Sequence, residues 1–305
     1  MTKVAAIVGP TAIGKTALSL EVAERLDAEI VSVDSMQVYR GMDIGTAKAN
    51  AAERARVPHH LLDVFDPSHD LTVSEFRDLA RTAIEDISAR GRLPLLVGGS
   101  GLYFRAVVDE LDFPPRAQEV RERLEEEADA IGAETLHERL TEMDPKAAAK
   151  IEPSNTRRTI RALEAIELTG RPFSDNDAWE RYESIYDLSV VGLTAPRDIL
   201  FERIEARVVD MIGRGLIAEA SALEASGMSR TARQALGYRQ ILDARGATED
   251  EMRAEIVRAT KRFARRQGSW FRSDPRVHWI DASGADLSIQ VLEHFRGSLA
   301  LPLRT

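Results

Sequence analysis

Eight residues near the start of this chain constrain its fold more than any others: Gly9 to Thr16, reading GPTAIGKT, directly behind the apolar run KVAAIV. At this spacing a glycine-rich turn and the N-terminus of the following helix surround phosphate oxygens with backbone amides. Gly9 and Gly14 allow the tight path, Pro10, Thr11, Ala12 and Ile13 make the turn, Lys15 is placed to reach terminal phosphates, and the Thr16 hydroxyl is placed to meet a magnesium ion. Such a loop commits the opening of the chain to a strand, a turn and a helix. Its ligand is a polyphosphate, and three chemistries use the same cradle: nucleotide hydrolysis, small-molecule phosphorylation and expulsion of diphosphate.

The rest of the chain extends that frame. Short β-branched and apolar runs recur at EIVSVD, HHLLDV, LPLLVG and LSVVGLT, with a late VHWID, separated mostly by helical patterns. This alternation predicts an α/β fold with a mainly parallel sheet flanked by helices. Leu18, Val22 and Leu26 are spaced to face that sheet from the first helix. TVSE, Thr72 to Glu75, reads as a capping box. Between 114 and 186 the alternation stops, and RAQEVRERLEEEADAIG, TLHERLTEMD and TRRTIRALEAIEL follow one another as amphipathic helices. We read 114–186 as an all-helical insertion domain dividing a core of 1–113 and 187–305.

Composition narrows the chemistry further. None of the 305 residues is cysteine, which excludes disulfides, thiolate zinc sites and iron–sulfur clusters, and fits a reducing compartment. Val4 to Val8 is too short for a signal-peptide apolar region and no run is long enough to span a membrane, so a mature start and a cytoplasmic location are expected. The six histidines show no metal-ligand spacing, and no zinc is predicted. A net charge of -9 confines any nucleic-acid contact to local patches.

Two further strand ends carry polar groups toward the phosphate loop. VSVDSMQVYRGMDIGTAK delivers Asp34 and Ser35, Met36 and Gln37 to the carboxyl edge of the sheet. There Asp34 has three readings: magnesium ligand, proton acceptor or helix cap. GGSGLYFRAVV places Gly98, Gly99 and Gly101 in a close backbone approach and exposes the Ser100 hydroxyl at a helix start. Basic residues cluster in TRRTIR (Arg157, Arg158, Arg161), in RQALGYRQ (Arg233, Arg239) and in RATKRFARRQGSWFR, where Arg258, Lys261, Arg262, Arg265, Arg266 and Arg272 interleave with Phe263, Trp270 and Phe271. The last cluster lacks acidic partners at i,i+4 spacing, and arginine with aromatics suits RNA loops as well as it suits solvent.

In this order, GPTAIGKT, VDSMQVYRGMDIGTAK, GGSGLYFRAV, RRTIRALE, ALGYRQI and KRFARRQGSWFR resemble the tRNA dimethylallyltransferases over nearly the whole chain. The phosphate loop is common to many families, whereas DSMQVYRGMDIGTAK is highly specific. The resemblance implies a P-loop NTPase-like core and transfer of a dimethylallyl group from dimethylallyl diphosphate to N6 of adenine 37 in tRNA, with magnesium and release of diphosphate. By the same resemblance Asp34 is the general base, Lys15 and Thr16 serve the leaving group, and Ser100 contacts the target nucleotide. The tRNA-binding positions it implies are Asp34, Ser35, Met36, Gln37, Ser100, Arg121, Arg157, Arg158, Thr159, Ile160, Arg161, Arg233, Gln234, Gly237, Tyr238 and Arg239, on a monomer. Ile13, Ser100 and QGSWFR depart from the commoner small residue, Thr and TWFR, and the missing cysteines separate the chain from relatives with a C-terminal zinc finger.

Three rivals fit parts of this pattern. A small-molecule or nucleotide kinase would use the loop, an Asp beside it and a lid arginine such as Arg203 or Arg207. A nucleotide-switched RNA-binding protein would need no chemistry at all. A prenyltransferase of free adenine nucleotides would not need the helical insertion.

Overall fold

The computed structural model describes residues 1–175, 178, 181–244 and 246–301. They form two compact units, one of Met1–Asp109 with Glu183–Thr305 and the other of Glu110–Tyr182. The first begins with β1 (Lys3–Val8), which runs through the phosphate loop into α1 (Lys15–Leu26), followed by β2 (Ala28–Ser32), α2 (Ala51–Arg56), β3 (His59–His60), α3 (Val73–Ala89), β4 (Leu93–Gly98) and α4 (Gly101–Val108). The second unit holds α5 (Gln118–Ile131), α6 (Ala133–Met143), α7 (Pro145–Ala148) and α8 (Thr156–Thr169). The chain then re-enters the first unit as β5 (Asp187–Thr194), α9 (Arg197–Gly213), α10 (Leu216–Ser226), α11 (Arg230–Arg233), α12 (Tyr238–Asp243), α13 (Glu249–Arg272), β6 (Val277–Asp281) and α14 (Leu287–Ser298).

The six strands make one parallel sheet in the order β3-β2-β4-β1-β5-β6. β1 lies inside the sheet, paired with β4 through Ala5 and Leu95 and with β5 through Ala5 and Ser189. A strand buried on both faces needs continuous apolar sequence rather than alternation. KVAAIV meets this demand: Val4, Ala6 and Val8 enter one core layer, with Phe76 of α3 and Phe271 of α13, while Ala5 and Ile7 enter the other, with Leu20 of α1 and Phe295 of α14.

Two local expectations change. HHLLDV predicts a full strand, yet pairing stops after His60, because Leu61 and Asp63 take left-handed backbone at φ 63° and 56°. The turn carries the Asp63 carboxylate to Lys48 and Arg54, at 2.7 Å each. At α3, Thr72 caps the helix by accepting the Glu75 amide, but the Glu75 carboxylate turns to His69 at 2.9 Å and not back to the cap backbone.

The chain leaves the first unit at a buried ionic cluster. Asp109 meets Arg105 of α4 and Arg276, each at 2.5 Å, and Arg276 also holds Asp274 at 2.7 Å. It returns beside its exit, with Asp109 bridged to Ser184 and the Ile185 amide donating to the Val108 carbonyl. Tyr186 is buried in the first unit's core, so the helical unit runs over 110–182 and not 114–186. That unit has a core of its own, built from Leu124, Leu136, Leu140, Ile160, Leu163 and Ile166.

Candidate active site

In a parallel sheet every strand ends at the same edge, and ligands bind in the crevice beyond the carboxyl ends. Here a cavity of about 420 Å³ opens at that edge. Its wall carries the phosphate loop from Thr11 to Thr16, Asp34 and Gln37 from the end of β2, Gly98 and Gly99 from the end of β4, Arg203 and Arg207 from α9, and Phe263 and Gln267 from α13.

The loop opens α1, whose first turn contains no acidic residue, so the positive end of the helix faces an anion unopposed. Lys15 Nζ donates to the carbonyls of Gly9 and Pro10 at 2.9 and 2.8 Å. Burial, with the neighbouring Arg207 guanidinium, brings the Lys15 ammonium down to about 7, against a smaller opposing pull from Asp34. Thr16 is exposed at the mouth.

Asp34 sits where β2 ends and the backbone turns on itself. Its Oδ1 accepts the Met36 amide at 2.9 Å, a local turn that an aspartate makes readily and that fixes the carboxylate in the cavity wall. Burial pushes its carboxyl above the usual range, and Lys15 and Arg207 only partly offset this. Gln37 is pinned from both ends, its Oε1 accepting from Ser32 Oγ at 2.7 Å and its Nε2 donating to the Thr46 carbonyl at 3.1 Å. Ser35 is buried, and Met36 is half-buried. Ser100 starts α4, and its hydroxyl makes no capping bond.

Sequence reasoning missed Gln267 and Phe263 as cavity residues and raised Arg203 and Arg207 only for a kinase. Arg203 and Arg207 stand one turn apart on α9, and Arg203 reaches the Ile13 carbonyl at 3.4 Å. Their i,i+4 spacing is the signal in the sequence that places both on one face of a helix.

The expected tRNA positions separate into groups. Arg157 and Arg158 are exposed in the first turn of α8, and Gln234 and Arg239 are exposed in the first unit. Arg121 pairs with Glu125, Arg233 with Glu224 and Asp243, and Arg239 with Asp243. Arg161 binds Glu164 and the carbonyls of Pro114 and Pro115, so its guanidinium is occupied inside the helical unit. Thr159, Ile160 and Tyr238 have buried side chains, and Gly237 is buried with no side chain to offer. Tyr238 instead donates its hydroxyl to Glu219 at 2.5 Å, and the same carboxylate accepts the amides of Asp43, Ile44 and Gly45. It thereby anchors the MDIGTAK segment to α10.

On α13 the basic cluster from Arg258 onward finds acidic partners at spacings other than i,i+4. Arg258 and Arg262 share Glu255, and Lys261 reaches Glu205 of α9, a residue too distant in sequence for an i,i+4 search. Arg266 lies over the Phe263 ring at 5.8 Å. Among the described residues no helix is long and apolar enough to cross a membrane.

A phosphate-loop motif, a strand-end carboxylate and three cations gathered in one cavity at the carboxyl edge of a parallel sheet define a P-loop fold. Two family models match the chain, IPP transferase over residues 37–274 and isopentenyl transferase over residues 2–63. A tRNA dimethylallyltransferase of Streptomyces avermitilis is 54% identical over 290 residues, covering 94% of this chain and 92% of the relative. Among solved structures, the tRNA isopentenylpyrophosphate transferase of Bacillus halodurans is 44% identical with a TM-score of 0.72, covering 98% of this chain and 97% of that one. A eukaryotic dimethylallyltransferase solved in the act of modifying tRNA has a TM-score of 0.83 at 25% identity, covering 100% of this chain and 81% of that one. The chain belongs to the tRNA dimethylallyltransferase family.

Proposed function

We propose that this protein transfers a dimethylallyl group from dimethylallyl diphosphate to N6 of adenine 37 in tRNA and releases diphosphate. The observation that carries this reading is that Asp34 and the phosphate loop share one cavity. As the bond between the allylic carbon and the diphosphate oxygen breaks, negative charge grows on the departing group. Lys15, Arg203, Arg207 and the loop amides stabilise that charge more in the transition state than in the bound substrate. The adenine amine forms the new carbon–nitrogen bond and gives its proton to Asp34. The Met36 amide holds the carboxylate in place, and a carboxyl raised by burial is the stronger base.

Among the described residues no group of three or more acidic or histidine side chains could hold a metal. The Thr16 hydroxyl, an oxygen donor of the kind magnesium favours, would hold that ion. When bound, it neutralises the charge on the leaving group.

Exposed Arg157 and Arg158 support contact with tRNA. Cations in the first turn of a helix oppose its dipole, and a phosphate backbone is the partner that offsets the cost. Ser100, with no cap to make, is free for the target nucleotide, which must leave its stack to reach Asp34. The protein acts as a cytoplasmic monomer in this reading.

The test is incubation with magnesium, dimethylallyl diphosphate and unmodified tRNA carrying adenine at positions 36 and 37, followed by nucleoside mass analysis, with ATP replacing the allylic diphosphate in a parallel reaction. N6-dimethylallyl adenosine in the first reaction alone is expected. ATP consumption without any prenylated nucleoside would return the loop to a kinase or a switch.

A further inference from the structure

We infer that Gln267 is a positioning residue that couples the phosphate cradle to the Ser100 loop. This rests on the reading above, in which the two loops serve two different substrates. Gln267 projects from α13 and is 8% exposed. Its Oε1 accepts the Thr11 amide of the phosphate loop at 2.9 Å, and its Nε2 donates to the Gly99 carbonyl, next to Ser100, also at 2.9 Å. One planar amide therefore fixes the spacing of two loops that lie far apart in sequence.

The packing leaves that amide no slack. A Cβ at Gly99 would come within 2.3 Å of Gln267 Nε2 and 2.9 Å of the Gly9 carbonyl oxygen, so the two loops approach too closely there for any side chain. Phe263 lies one turn before Gln267 on the same helix and lines the same cavity. The helix that joins the loops is thus the one that carries Arg262, Arg265 and Arg266. Displacement of the cradle by a bound diphosphate moves Thr11, and through Gln267 it moves Gly99 and Ser100. By linkage the effect is reciprocal: tRNA at the Ser100 loop changes the affinity for diphosphate by the factor with which diphosphate changes the affinity for tRNA.

Two substitutions separate the contacts. Gln267→Met keeps the volume and removes both bonds. Gln267→Glu keeps an acceptor for Thr11 but sets a carboxylate oxygen against the Gly99 carbonyl. The probes are inorganic diphosphate with magnesium and unmodified tRNA, titrated by calorimetry singly and together, with prenylation of tRNA assayed in the same preparations.

In the wild type each probe is expected to change the affinity of the other by at least about fivefold, and in both variants that factor is expected to fall toward one. The Thr11 amide, which Gln267 Oε1 accepts, is expected to exchange faster in Gln267→Met than in the wild type. A side chain with a merely structural role would lower thermal stability and weaken both probes while leaving their coupling in place. Wild-type protein that prenylates tRNA without coupling between the probes, or variants that keep the coupling, would overturn this inference alone. Wild-type protein that prenylates no tRNA would remove the functional reading and the inference with it.

Discussion

Lys15 and Asp34 share one cavity, and burial displaces them in opposite directions, Lys15 down to about 7 and Asp34 above the usual carboxyl range. Each shift is a stability statement with a definite sign. Between about 7 and the ordinary lysine value of 10.5 the unfolded chain holds a proton that folded Lys15 has released, so stability rises with pH there, and the full cost stands below that window. Lys15→Met should therefore melt above the wild type most clearly at or below pH 7, with the advantage shrinking toward pH 10, and should lose diphosphate binding. In the wild type, diphosphate binding at pH 8 should draw a proton onto Lys15, which calorimetry in buffers of different ionisation heat would detect. Asp34 behaves in the opposite way. Between its ordinary value of 3.8 and its raised value the folded chain holds the extra proton, so stability falls as pH rises through that interval. Asp34→Asn should gain stability over the wild type above the interval while losing about 10²–10⁴-fold in turnover with tRNA binding intact. Wild-type turnover in that variant, measured under single-turnover conditions, would remove Asp34 from the chemistry.

At the scale of elements, what the sequence revealed depended on whether the physics was local. GPTAIGKT was readable because its cradle is contiguous, and Asp34 because a strand end next to that cradle is a predictable place. Gln267 was not readable, since a bond from residue 11 to residue 267 leaves no periodic trace. β3 was overdrawn because left-handed backbone at Leu61 and Asp63 is invisible in an apolar run. The Thr72 cap was legible, but the competing pull of His69 on Glu75 was not. The contact of α4 with α13 belongs with the unreadable group: a Cβ at Gly101 would overlap the Trp270 indole at 2.0 Å. Gly101→Ala must push the helices apart and should cost about 1–3 kcal/mol, measurable by urea unfolding. On α8, replacing Arg157 and Arg158 together with Ala should reduce the slope of log affinity for tRNA against log salt by roughly 1.4 to 1.8, the release expected from two phosphate contacts. An unchanged slope would assign that turn to solvent.

Across the whole molecule, the helical unit has its own core, and the first unit joins its two chain segments through the Asp109 to Ser184 bridge. A fragment of residues 110–182 should therefore keep its helical circular dichroism and melt cooperatively, although so small a core makes it marginal. A gradual, non-cooperative loss of signal would make the helices dependent on the host. The bond between Thr11 and Gln267 has a different consequence, one of timing. On the ribosome the phosphate loop is made well before Arg203, Arg207 and Gln267, the later groups that line its cavity. A nascent chain that has passed α1 but not α13 therefore carries the loop without the Gln267 brace on Thr11, and the cavity gains its α9 arginines before that brace.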